Sequence, residues 1–175
     1  MILNLKPKPG KFMSAKAYQR KSWREKLAES KGLPKVGRIT GKMSRRWGEG
    51  TMVIPAPIEV DELMRHVPKG KLTTINELRA ALARKHGTSI CCPITTGIFA
   101  WIAAHAAAEA QAEGKKRVTP WWRTLKANGE LNPKYPGGIA AQAAHLKAEG
   151  LAIEPGKGKK PPTVKDFEKA LVALN

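Results

Sequence analysis

The chain has 175 residues, about the length of one domain, and 42% of them are hydrophobic, which is enough for one core. Its 32 Lys and Arg residues against 14 Asp and Glu leave a formal net charge of +18, so the protein is strongly basic. The longest apolar run, near residues 98–108, is shorter than the roughly 20 residues of a membrane helix, and no membrane span is expected. Two adjacent cysteines, Cys91 and Cys92, cannot build a disulfide framework or a four-ligand zinc site.

The positive charge is concentrated at the two ends of the chain. Residues 1–50 carry 14 Lys and Arg against 3 Asp and Glu, residues 51–114 carry 6 against 6, and residues 115–175 carry 12 against 5. Lys and Arg that neutralise phosphates release condensed counterions, so this distribution favours a polyanionic partner, with nucleic acid first. Ribosome-associated, membrane-surface and merely soluble proteins also carry basic ends, and charge alone does not separate them.

The composition of residues 1–50 predicts a flexible basic arm, because Lys, Gly and Pro are frequent and apolar periodicity is weak. One short helix is predicted, at residues 22–30. Trp23 and Trp47 lie near Arg24, Arg45 and Arg46, a composition suited to stacking on bases or contacting phosphates. Docking of each Trp on the domain explains the pattern equally well.

The sequence of the middle of the chain predicts three helices, a short one and two longer ones. A short amphipathic helix is expected at residues 58–66, after a Pro-Ala-Pro stop. Thr74, with a glutamate three residues later, has the form of a capping box that begins a helix, and Gly87 is placed to end it. An alanine-rich helix then follows over residues 93–114. The two longer helices are a helix-turn-helix candidate, although such pairs also occur in proteins that do not bind DNA.

The rest of the chain predicts smaller elements. Residues 115–135 are irregular with a short strand, residues 139–149 form a helix ended by Gly150, and residues 151–162 form a basic hairpin or wing. A last helix is expected over residues 164–174, with Thr163 as its cap. The expected fold is mainly α and winged-helix-like, with small β elements: an arm at 1–50, a DNA-binding domain at 51–153, and a hairpin and helix at 154–175 that complete it.

Six blocks in one order carry a resemblance to a known family. They are VPKGKLTT at 67–74, the helix pair with Gly97, PWWR at 120–123, NGEL at 128–131, YPGG at 135–138 and LKAEG at 146–150. Over about residues 58–153 the chain resembles the DNA-binding C-terminal domain of the alkylguanine-DNA alkyltransferases. The family implies a helix-turn-helix in the minor groove and transfer of an alkyl group from a flipped guanine to the cysteine of a Pro-Cys-His-Arg motif.

At that motif Trp121 stands in place of the cysteine and Trp122 in place of the histidine. Because a neutral Trp only donates, we expect no alkyl transfer here. Glu149 matches the family's acidic relay residue. The Trp at position 121 resembles the alkyltransferase-like branch, which implies a non-enzymatic sensor of DNA damage that recruits nucleotide excision repair. That branch usually keeps the histidine, so Trp122 departs from it.

The resemblance also supplies candidate site residues. The expected base pocket is formed by Trp121, Trp122, Tyr135, Pro136 and Gly137. Arg123 is expected to contact either a phosphate or a turn carbonyl. Ile75 stands where the family has a Tyr that rotates the target phosphate, and Ile94 about where it has an Arg that fills the vacated stack. The expected DNA contacts are Thr73, Thr74, Ile75, Ile94, Thr95, Thr96, Arg123, Arg45 and Arg46.

The function expected from these residues is DNA binding, with double-stranded DNA as partner, nucleotide excision repair proteins as further partners, and a cytoplasmic, nucleoid-associated location. No cofactor, metal or membrane is expected. Two alternatives stay open. One is a general nucleic-acid-binding or nucleoid-type protein without base flipping, and the other is an enzyme that accepts the alkyl group on Cys91 or Cys92.

Overall fold

The computed structural model describes residues 20–174, which form a mainly helical protein with three small sheets. Within this range no helix is long and apolar enough to cross a membrane. The α-helices are α1 Trp23–Ala28, α2 Lys42–Trp47, α3 Pro57–Arg65, α4 Ile75–Lys85, α5 Pro93–Ala112, α6 Gly138–Ala148 and α7 Phe167–Ala170, and a 3₁₀ turn covers Trp121–Arg123.

The strands are short and pair in three separate sheets. They are β1 Lys35–Arg38, β2 Thr51–Ile54, β3 Thr73–Thr74, β4 Ile90–Cys91, β5 Thr124–Leu125, β6 Ile153–Glu154 and β7 Thr163–Val164. The first sheet has the order β1-β2-β4, with β1 antiparallel and β4 parallel to β2. β3 pairs with β5 in parallel, and β6 pairs with β7 antiparallel.

Helix α5 lies at the centre of the main core, where α1, α3 and α4 pack against it. Its buried positions include Ala100, Ala103, Ala104 and Ala107, small side chains that allow the neighbouring helices to approach closely. A second cluster lies under the C-terminal strands and contains Leu72, Leu125, Leu131, Leu146 and Val164. The alanine-rich sequence therefore builds the helix that organises the molecule.

The predicted helices at 58–66, 74–87, 93–114 and 139–149 are confirmed by α3, α4, α5 and α6. Thr74 caps α4 as expected, because its hydroxyl accepts the Glu77 amide at 3.3 Å. The connection from α4 to α5 contains β4, which pairs with β2. The last helix is shorter than predicted: Thr163 lies in β7, and α7 begins only after Asp166, which has a φ of 50°. The winged-helix arrangement stays a prediction.

The prediction of a flexible arm is wrong for residues 20–50; residues 1–19 lie outside the described range. Helix α1 has a complete capping box at Ser22 and docks on α5, where the Glu109 carboxylate accepts the Arg24 amide at 2.9 Å. Strand β1 pairs with β2 over four residues, so the sheet crosses the predicted boundary between residues 50 and 51. Pairing between distant segments, absent from local periodicity, orders this part of the chain.

Candidate nucleic-acid interface

The Glu149 carboxylate, just after α6, accepts hydrogen bonds from four N–H donors that belong to two other parts of the chain. The Trp122 indole N–H donates to it at 2.8 Å, and the Arg123 guanidinium binds it with Nε at 3.0 Å and Nη2 at 2.7 Å. The Gly70 amide donates at 3.0 Å. Burial alone would raise the pKa of Glu149, but the donors from Arg123, Gly70 and Trp122 outweigh it and lower the pKa below its ordinary value.

Arg123 has its side chain largely enclosed, with 14% exposed. Besides Glu149 it binds the carbonyl of Val67, where Nη1 donates at 2.7 Å. Arg123 was expected to contact either a phosphate or a turn carbonyl, and in the structure it binds a carbonyl. The residue therefore ties the 3₁₀ turn to the segment before β3, and its donors are occupied inside the protein.

Trp121 is enclosed, with only 3% of its surface exposed. Its ring meets Trp122 and Tyr135 edge-on at 5.8 Å and His145 at 5.6 Å. Trp122 in turn stacks on His145 at 4.2 Å with an angle of 13° between the rings. The predicted pocket residues are thus brought together, but as a packed aromatic cluster in which neighbouring rings surround Trp121.

The YPGG loop starts α6. Tyr135 is buried, which raises the pKa of its hydroxyl, and Pro136 is partly buried. Gly137 is the N-terminal cap of α6 with a φ of 69°, and a Cβ there would lie 2.6 Å from the Cβ of Ala141. The turn itself therefore requires a glycine at this position.

Besides Arg123, three of the predicted DNA contacts are buried inside the protein. Thr73 and Thr74 are 0% and 2% exposed, since they form β3 and the α4 cap. Thr96 is fully buried, and its hydroxyl donates to the Cys92 carbonyl at 2.8 Å. Ile75 packs partly buried against the main core. The Thr74 and Thr96 hydroxyls are therefore used in hydrogen bonds inside the protein.

The remaining predicted contacts face solvent to different degrees. Ile94, in the first turn of α5, is 60% exposed, and Thr95 beside it is partly buried. Arg45 and Arg46 are exposed on α2. Ile94 and the arginines therefore remain available to a partner.

A cleft of about 490 Å³ lies beside Ile94. Its lining residues are Ile94, Gly97, Ile98, Trp101, Lys126, Asn132 and Lys134. Lys126 pairs with Glu130, and Lys134 has no carboxylate partner within residues 20–174. The loop wall is fixed to α5, because the His105 Nε2–H donates to the Lys134 carbonyl at 3.1 Å. We call this opening the α5 cleft.

Sequence reasoning missed five residues of the α5 cleft: Ile98, Trp101, Lys126, Asn132 and Lys134. Ile98 follows Ile94 by four residues and Trp101 follows Ile98 by three, so one face of α5 carries all three side chains. Ile94 and Ile98 are 60% and 45% exposed, so this face carries two large apolar side chains that the core does not cover. That spacing was the available indication for the helix residues. Lys126, Asn132 and Lys134 lie in loops, and no sequence pattern pointed to them.

No protein-family model and no curated protein matches the chain. Among solved structures, the chain is similar to S. pombe Atl1, an alkyltransferase-like protein, in a crystal structure in complex with damaged DNA containing O6-carboxymethylguanine. The two chains share 18% sequence identity with a TM-score of 0.43, over 66% of this chain and 93% of that chain.

Proposed function

We propose that this chain is a non-enzymatic DNA-binding protein of the alkyltransferase-like type. The observation that carries the proposal is the hydrogen bond from Trp122 to Glu149. The sequence resemblance assigns these two positions to the base and the acid of a catalytic relay, and they lie in contact although 27 residues separate them in the chain. A Trp at position 122 donates to the carboxylate but has no lone pair to accept a proton from a nucleophile.

The rest of the site supports a protein without alkyl transfer. Trp121 supplies no nucleophile, and Glu149 is satisfied by Trp122, Arg123 and a backbone amide. The rival acceptor Cys91 is buried, its sulfur lies 3.2 Å from the Thr96 hydroxyl, and burial raises the pKa of its thiol. A raised pKa disfavours the thiolate that attacks alkyl groups.

DNA binding is supported by the net charge of +18 and by the α5 cleft. Exposed Ile94 and Ile98 offer apolar surface of the kind that minor-groove proteins insert between bases. The Lys134 ammonium at the cleft is suited to a phosphate of the same nucleic acid. We propose double-stranded DNA as the partner and nucleotide excision repair proteins as further partners. The proposed location is cytoplasmic and nucleoid-associated.

The enclosure of Trp121 favours a second candidate function. With 3% of its surface exposed, the ring offers no face on which a flipped base could stack unless its neighbours move. A general nucleic-acid-binding protein without base flipping would need no such pocket. The two candidates share the basic surface and differ in whether an alkylated base is preferred.

A comparison of four ligands at one fixed salt concentration tests the proposal: plain duplex DNA, the same duplex with one alkylated guanine, single-stranded DNA and RNA. The proposal expects duplex DNA to bind more tightly than the single strand or the RNA, and the alkylated duplex to bind most tightly. Equal affinity for both duplexes would favour the general binder. Failure to bind either duplex would overturn DNA binding itself.

A further inference from the structure

Strand β1 and helix α2 form a folded segment that contributes little to the core. All four residues of β1 are exposed, and α2 buries no side chain. Between residues 35 and 47, only Ile39 is buried. We call residues 35–47 the β1–α2 segment. Its order comes from pairing with β2 rather than from apolar packing.

The charge on the β1–α2 segment has one sign. Residues 30–48 contain six Lys and Arg and no Asp or Glu. Within residues 20–174, the five basic side chains of the segment form no salt bridge; they are Lys35, Arg38, Lys42, Arg45 and Arg46. The Arg46 guanidinium lies 5.5 Å from the centre of the Trp47 ring, which orients it. A surface of unpaired positive charges is the form that a phosphate-binding element takes.

The sheet fixes this charged segment near the helix pair. Arg38 is opposite Thr51 in the β1–β2 register, and Thr51 exchanges hydrogen bonds with Ser89 in the connection between α4 and α5. With neighbouring strands about 4.8 Å apart, β1 lies about 10 Å from β4, which leads directly into α5. That separation is comparable to the groove widths of B-DNA, about 6 and 12 Å.

We propose that the β1–α2 segment is a second DNA-contacting element, which binds phosphates across a groove while the start of α5 contacts the duplex. Arg38, Lys42, Arg45 and Arg46 supply the phosphate contacts. This inference rests on the proposed DNA-binding function. Charges on an edge strand also prevent unwanted strand pairing, which would account for Lys35 and Arg38 but not for the charges on α2.

A matched pair of triple variants tests the segment. Lys42→Ala/Arg45→Ala/Arg46→Ala removes three charges from α2, and Lys115→Ala/Lys116→Ala/Arg117→Ala removes three exposed charges beyond the other end of α5, a helix about 30 Å long. Each variant loses three positive charges, so the two variants have the same net charge as each other. The measurement is duplex affinity by fluorescence anisotropy between 50 and 200 mM salt, as approximate limits, with circular dichroism to establish that each variant is folded.

We expect the α2 variant to lose about 2–3 from the slope of log affinity against log salt, at about 0.9 for each phosphate contact. The control variant should lose less than about 1. Arg45→Lys/Arg46→Lys, which keeps the charges, should keep the slope. Equal losses in the two triple variants would overturn the second contact while leaving DNA binding intact. Absence of duplex binding by the unaltered protein would instead overturn the proposed function.

Discussion

Trp122 donates its indole N–H to the Glu149 carboxylate over 2.8 Å, and the neighbouring Arg123 binds the same carboxylate. The carboxylate side chain is only 8% exposed, so its ionised form depends on these donors. The contact joins the 3₁₀ turn to the end of α6, two parts of the chain that sequence analysis places in one constellation. The contact is therefore a structural link between these two parts of the chain.

Replacing Glu149 with Gln should destabilise the protein by about 1.5–3 kcal/mol at pH 7, the usual contribution of hydrogen bonds to a charged group. Because the folded-state pKa of Glu149 is lowered, its contribution is complete above the unfolded pKa of about 4.3 and is lost as the pH falls through the folded value. Urea unfolding at pH 7 and at about pH 3 measures both effects.

The unaltered protein should thus lose more stability than Glu149→Gln between these two pH values. Glu154→Gln is the matched control, since Glu154 is exposed and forms no salt bridge within residues 20–174. An identical acid dependence in the unaltered protein and Glu149→Gln would show that the carboxylate is not held as described.

Trp121→Ala should cost about 3–5 kcal/mol of unfolding free energy, because it leaves a cavity among Trp122, Tyr135 and His145. Trp121→Phe, which keeps most of the ring, should fold and should bind alkylated and plain duplex in the same ratio as the unaltered protein. A selective loss of affinity for the alkylated duplex in the Phe variant would contradict the enclosure and indicate that the aromatic cluster opens onto a base.

Ile94→Ser should weaken duplex binding about tenfold, which corresponds to about 1.4 kcal/mol of lost apolar contact and is within the range for burying such a side chain. Stability should change by less than about 0.5 kcal/mol, because Ile94 is 60% exposed. The control for a general loss of surface hydrophobicity is Ile58→Ser, because Ile58 is also exposed but lies on α3 rather than α5. Equal affinities of the two variants would remove the start of α5 from the interface.

Gly137→Ala should destabilise the protein by more than about 1 kcal/mol, since the residue has a φ of 69° and an added Cβ would meet Ala141 at 2.6 Å. Gly97→Ala should instead stabilise it by about 0.5–1 kcal/mol, because Gly97 lies inside α5 with open space at its Cβ. Thermal unfolding of both variants measures these two changes in stability. A neutral Gly137→Ala would mean that the YPGG turn is not constrained as the structure has it.

The four predicted helices that the structure confirms share strong local features: apolar spacing at α3, the Thr74 cap of α4, a proline start at α5, and Gly150 after α6. The parts that sequence did not predict depend on distant partners. Strand β1 has charged, exposed side chains and no alternation, and its order comes from β2. The enclosure of Trp121 comes from Tyr135 and His145, which belong to other elements.

In the candidate site, too, sequence predicted some features and missed those that depend on distant parts of the chain. The resemblance placed positions 121, 122 and 149 in one constellation, and the structure has them in contact directly or through one residue. It also pointed to Ile94, which is exposed. Thr73, Thr74 and Thr96 were expected to contact DNA, but the pairing of β3, the cap of α4 and the packing of α5 bury them. Burial depends on tertiary packing, which matching of motifs does not report.

The most direct measurement of the central claim combines binding and chemistry on one sample. The protein is titrated into a duplex that carries one alkylated guanine, and the recovered chain is weighed by intact mass spectrometry. The account predicts saturable binding that weakens as salt is raised, with the mass of the chain unchanged. A mass increase of one alkyl group, whether on Cys91, Cys92 or elsewhere, or the absence of any binding, would contradict it.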